Sequence, residues 1–132
     1  MMIFLDTDIL SYFLSGNPMV INKVNEAITY GHQIYLTCVN VYEVIKGLKY
    51  RGNNNKEQDF HKFLTNVTVS YLEDAAIQKA ADIYAILRKK GVTIGDADIL
   101  IASIVIANGG KFITNNAKHY QHIDGLIMEN WC

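Results

Sequence analysis

At 132 residues, half of them hydrophobic and only one of them proline, the chain has the length and balance of a single globular unit, which excludes a disordered or fibrous polypeptide. A net charge of -1 excludes a molecule-wide cationic field, so a polyanionic partner has to be reached through a local basic patch or a bound cation. No apolar run approaches the roughly 20 residues of a membrane span, and two cysteines without metal-ligand spacing, behind an N-terminus unlike a signal peptide, lead to the expectation of a reducing cytoplasm and no disulfide framework.

The first element is MIFLD (2–6), a continuous apolar run that reads as a buried strand and ends in Asp6. Asn17 before Pro18 supplies an N-cap and a proline at the first helical position, so a helix runs through VINKVNEAITY and stops at Gly31. IYLTCV (34–39) reads as the second strand, followed by a helix from about Asn40 to Tyr50 with Glu43 in its first turn. RGNNNKEQ (51–58) is linker-like, a polar helix covers about Lys56 to Asn66, and TVSYL (68–72) is a further strand. Asp74 can cap AAIQKAADIYAILRKK, whose Ile77, Ala80, Ala81, Tyr84 and Leu87 are predicted to share the inward face before Gly91 ends the helix. The next helix starts at Asp96 or Ala97 and ends before Gly109 and Gly110, and KFIT (111–114) and LIMEN complete the strands. Unbroken apolar strands alternating with helices predict a three-layer α/β/α sandwich around a small, mainly parallel sheet, with residues 1–132 as one domain.

In such sheets ligands collect beyond the carboxyl ends of the strands. Asp6 ends the first strand, Glu43 follows the second, and Asn115 and Asn116 follow KFIT, so all belong at one rim. Asp98 shares a helical stripe with Ile101, Ala102 and Val105, which directs its carboxylate inward, whereas Asp96 points elsewhere and suits an N-cap. Carboxylates brought together repel one another, and a hard divalent cation removes that cost. Oxygen donors from Asp, Glu and Asn suit Mg²⁺ or Mn²⁺.

The chemistry this leaves is metal-assisted, in-line attack of water on a phosphodiester. No nucleophile–histidine arrangement or glycine-rich phosphate loop is signalled, and His119 and His122 read as surface histidines outside the strand-end positions. Lys46, Lys49 and Tyr50 on the Glu43 helix, Arg51 just beyond it, and Lys111 and Lys118 flanking KFITNN could supply contacts to a phosphate backbone without reading its sequence.

FLDTDIL, NVYEVIKGL, GVTIGDADILIASIVI and FITNNAKHY followed by GLIMENW resemble the PIN-domain nucleases, specifically the VapC-type toxins of prokaryotic toxin–antitoxin pairs, in order, spacing and nearly end to end. The resemblance implies an α/β/α sandwich and a Mg²⁺- or Mn²⁺-dependent endoribonuclease acting on RNA. Its implied partners are an antitoxin that blocks the site and a second copy of the toxin in a homodimer. It carries the family's acids onto Asp6, Glu43 and Asp98, and leaves Asp96 as an additional acid. Asn115 and Asn116 stand where many members have a fourth acid, so Asn116 is a candidate ligand or water-holder.

Two alternatives stay open on the residues themselves. A strand ending in DTD also looks like the haloacid-dehalogenase phosphatases, with Asp6 as nucleophile and Asp8 as acid/base, although Leu10 stands where that motif expects Thr or Val. The other is a non-catalytic α/β binding module whose acids are caps and solvated rims.

Overall fold

The computed structural model describes residues 1–132. Five strands, β1 (Met2–Leu5), β2 (Gln33–Thr37), β3 (Thr68–Ser70), β4 (Lys111–Ile113) and β5 (Ile127–Glu129), form one sheet in the order β3-β2-β1-β4-β5, with every neighbouring pair parallel. The helices are α1 (Thr7–Leu14), α2 (Pro18–Thr29), α3 (Cys38–Tyr50), α4 (Asn54–Leu64), α5 (Asp74–Lys89), α6 (Asp96–Ala107) and α7 (Ala117–Tyr120).

Successive residues of a strand face opposite ways, and β1 shows why its run is apolar throughout. Ile3 and Leu5 enter one core with Ile9, Leu10, Val20, Val24 and Phe60; Phe4 enters the other with Ala80, Ile83, Leu87, Ile101 and Phe112. The sandwich expected from the sequence is therefore present. Gly110 permits the tight start of β4, because a Cβ there would stand 2.6 Å from the Phe4 ring.

The chain builds outward from β1 to β2 to β3, then crosses to the other side of β1 for β4 and β5. The order thus reverses beside β1, and the carboxyl ends of β1 and β4 flank the crevice where parallel sheets bind ligands. Asp6 is held at that point by its backbone N–H, which donates to the carbonyl of Ile113 at 2.9 Å.

Several expected boundaries differ. β2 ends at Thr37 rather than Val39, because the Thr37 hydroxyl accepts from the N–H of Asn40 at 3.1 Å and caps α3, which begins at Cys38. Glu43 consequently sits in the second turn of its helix. α4 starts at Asn54, capped by Asn53, whose side chain accepts from the N–H of Lys56. α1 has no counterpart in the sequence reading, since its cap, Asp6, was absorbed into the preceding strand.

The inward face of α5 is Ala76, Ala80, Ile83 and Leu87, while Ile77 and Tyr84 are nearly half exposed. Packing against α6 turns the small alanines toward the neighbouring helix, and Tyr84 lies outside under the Arg88 guanidinium. Neither Asp74 nor Asp96 is an N-cap: both are first helical residues, after Glu73 and Gly95, which make no side-chain cap bond. The two acids still face the positive end of each helix.

Candidate active site

Asp6 ends an apolar strand and caps α1, two local roles that place its carboxylate at the rim with only 8% of the residue exposed. Its Oδ1 accepts from the Thr7 N–H at 2.8 Å and the Asn40 amide at 3.3 Å, and its Oδ2 accepts from the Thr114 hydroxyl at 2.7 Å. Every one of these donors is neutral. Burial pushes the Asp6 carboxyl up to about 6, the negative charges of Asp8 and Glu43 add to the rise, and the Thr114 and Thr7 hydrogen bonds oppose it.

Glu43 reaches the same cluster through Thr7, whose hydroxyl donates to Glu43 Oε1 at 2.9 Å and accepts from the Asn40 amide at 2.9 Å. Asn40 is fixed in turn by the Thr37 hydroxyl, which donates to its Oδ1 at 2.7 Å. Thr37, Asn40 and Thr114 are fully buried, so a connected polar network holds the two acids in place.

Asp98 projects from the first turn of α6 beside Ile101, Ala102 and Val105, all of which are buried as its stripe predicted. Its Oδ2 lies 2.7 Å from His119 Nε2, and its Oδ1 accepts from the Tyr120 hydroxyl at 3.0 Å. Burial first, then the charges of Asp6, Asp98 and Glu43, hold the Tyr120 phenol well above its ordinary range, so it stays a neutral donor. The Tyr120 hydroxyl thus lies within the field of all three acids. They do not form a closed ligand cluster as they stand: no three His, Cys, Asp or Glu side chains converge to hold an ion.

The donor set suits a hard cation, because the rim presents carboxylate and hydroxyl oxygens and no thiolate. Asp6 has no cationic partner of its own within the chain.

The remaining predicted residues divide. Asp96 is exposed, and Asn116 is exposed with its N–H donating to Thr114 Oγ1 at 3.0 Å, while Asn115 accepts from the Asn130 amide. Lys49 is 3.0 Å from Glu57 and its charge is met there. Lys46 is exposed, with its ammonium 4.9 Å from the Tyr42 ring centroid, and Arg51 folds over Gly47. Asp8 accepts from the N–H of Ile9 at 2.7 Å, and its negative charge acts on Asp6.

His119 corrects the sequence reading, which put it on the surface: α7 carries it onto Asp98. Thr7, Asn40, Thr114 and Tyr120 were missed. Buried Asn40 in a helix that follows a strand is the one local signal among them, whereas His119 and Tyr120 meet Asp98 across more than 20 residues of chain.

The family described as PIN domain matches residues 3–126. Over 99% of its length the chain is 29% identical to Ribonuclease VapC2 of Rickettsia felis, and over 99% it is 28% identical to Ribonuclease VapC1 of Haemophilus influenzae, in each case spanning 98% of the relative. Its fold is similar to that in the crystal structure of VapBC2 from Rickettsia felis bound to a DNA fragment from their promoter, with a TM-score of 0.92, 25% identity and complete coverage of both chains. It is also similar to VapBC-1 from nontypeable Haemophilus influenzae, with a TM-score of 0.87, 26% identity, and 99% and 98% of the two chains covered.

Proposed function

This chain belongs to the PIN-domain family, and from that premise we propose that residues 1–132 form one nuclease domain, a metal-dependent endoribonuclease that serves as the toxin of a toxin–antitoxin pair. The observation that carries the site is Asp6, buried among neutral donors with its carboxyl pushed up to about 6, so that the cluster calls for a cation the chain does not supply.

Asp6, Glu43 and Asp98 are the proposed ligands of Mg²⁺ or Mn²⁺, with Asp96 and Asn116 as outer oxygen donors at the same rim. When bound, such a cation would supply charge stabilisation to phosphoryl oxygens and would acidify water for in-line attack. The chain's own residues do the positioning. Thr114 and the Thr7 N–H fix both oxygens of Asp6, and the Thr7 hydroxyl aims Glu43. His119 and Tyr120 hold Asp98 against α7, and Lys46 offers a positive charge to the RNA backbone from the Glu43 helix.

The similar ribonucleases, and structures of toxin held with antitoxin, support a cognate antitoxin as partner. A homodimer and a cytoplasmic setting complete the proposal; no helix is long and apolar enough to cross a membrane. The family match weighs against the phosphatase alternative.

The test is RNA cleavage by the purified chain with Mg²⁺ or Mn²⁺, reversed by chelation and lost in Asp98→Asn. Cleavage that persists in chelator, or that Asp98→Asn leaves intact, overturns the metal-site assignment. Release of inorganic phosphate from a small phosphoester without RNA cleavage would restore the phosphatase.

A further inference from the structure

α3 carries more than Glu43 to the rim. Tyr42, Lys46 and Tyr50 recur every fourth residue, and Glu43, Lys46 and Tyr50 follow i, i+3, i+7, so the four share one side of the helix. Val41, Val44, Ile45 and Leu48 turn the opposite side to the core. Tyr42 is 61% exposed and Tyr50 is 92% exposed. Between them Lys46 makes no ion pair; its ammonium rests 4.9 Å from the Tyr42 ring centroid. The neighbouring Lys49 is different, being bound to Glu57 at 3.0 Å.

Single exposed aromatics need no explanation. Here, however, ring, cation and ring succeed one another at steps of about 6 Å along the helix axis, and the row begins beside Glu43. Unpaired RNA presents what such a row can take: free base faces for the rings and a phosphate for the ammonium between them. A duplex keeps its base faces stacked inside and offers only the phosphate. Two-fold pairing of the row with a second copy of the chain would instead bring Lys46 toward its own equivalent, which like charge opposes.

We propose that Tyr42, Lys46 and Tyr50 form a stacking track that leads single-stranded RNA to the acids and disfavours duplex, an inference that rests on the endoribonuclease reading. The track belongs to α3 because one helix then sets both the substrate's path and the position of Glu43.

The experiment measures fluorescence anisotropy of a short unstructured RNA, and of the same sequence as a duplex, on the full chain carrying Asp98→Asn to suppress cleavage. Tyr42→Ala and Tyr50→Ala should each weaken single-strand binding about tenfold, the equivalent of about 1.4 kcal/mol and within the range for one stacked base. Tyr42→Phe and Tyr50→Phe should bind like the parent, duplex binding should not respond to the rings, and Lys46→Gln should lower the salt slope by about one. Exposed positions leave folding intact, which thermal melting checks. Alanine variants that bind like the parent overturn the track while cleavage by the unsubstituted chain upholds the nuclease. Alanine variants that break a dimer in sedimentation with RNA affinity per protomer unchanged assign the row to a second copy and overturn the track too. An unsubstituted chain that neither binds nor cuts RNA overturns the endoribonuclease reading, and the track with it.

Discussion

Two acids at the carboxyl edge of the sheet meet opposite surroundings. Glu129 at the end of β5 accepts hydrogen bonds from Lys111, at 3.0 Å, and from the Trp131 indole, and these hold its carboxyl below the ordinary range. Asp6, two strands away, accepts only from neutral groups and is pushed up to about 6 by burial and by the charges of Asp8 and Glu43. The β5 edge is electrostatically complete, whereas the β1 edge is held in shape by hydroxyls and an amide and lacks a positive charge. An acid matched by the chain's own lysine serves the fold, and the unmatched Asp6 is the one proposed to serve a ligand.

The sharpest way to break this contrast is Asp6→Asn. RNA cleavage should fall by about a hundredfold or more, since even an outer partner of a metal ligand is worth about 10- to 100-fold. The melting temperature without metal should stay level or rise, because an unmatched buried charge is removed. A large loss of stability would make Asp6 a structural acid like Glu129.

The same contrast appears in pH. The Asp6 carboxyl rises from an ordinary 3.8 to about 6, so the folded protein binds more protons than the unfolded chain between those values. The contribution of Asp6 to stability without metal is therefore full below about pH 4 and is lost as pH rises through 6, by about 3 kcal/mol at 1.36 kcal/mol per unit. Denaturant titrations across that window should show the fall, and Asp6→Asn should flatten it. Mg²⁺ should raise the melting temperature at pH 7.5 and lose that effect below pH 6, where Asp6 is protonated.

A smaller effect is expected at Glu43→Gln, which keeps an acceptor for the Thr7 hydroxyl while removing one negative charge near Asp6. Metal affinity by calorimetry should drop about tenfold, with the melting temperature level or higher. Destabilisation without a change in affinity would take Glu43 out of the site. The smallest is Glu129→Gln, which should cost about 0.5 kcal/mol or less, because its pair with Lys111 is partly open to solvent. Cleavage should be unchanged, and the difference between the two edges would then be one of role as well as of charge.

The layered fold was legible because period and composition are local properties. Strands such as MIFL (2–5) and KFI (111–113) are apolar on both faces, Asn17–Pro18 announces α2, and the stripe running from Asp98 to Val105 points inward as written. Less was legible where one residue answers two demands at once. Asp6 closes a strand and caps a helix, and that concealed α1; Thr37 does the same for β2 and α3. The inward face of α5 depended on which side α6 occupies, a fact outside the segment itself.

By itself the sequence determined the alternation of buried strands and helices, the acids at the strand ends and the motifs that mark the family, since each depends on neighbours within a few turns of chain. Only the tertiary structure decided that His119 and Tyr120 grip Asp98, that Thr7 joins Asp6 to Glu43, and that Lys49 is paired with Glu57 while Lys46 rests over Tyr42 without an ion pair. Hydrogen bonds and charges act over a few ångströms, and residues far apart along the chain come within that range only once the sheet has closed.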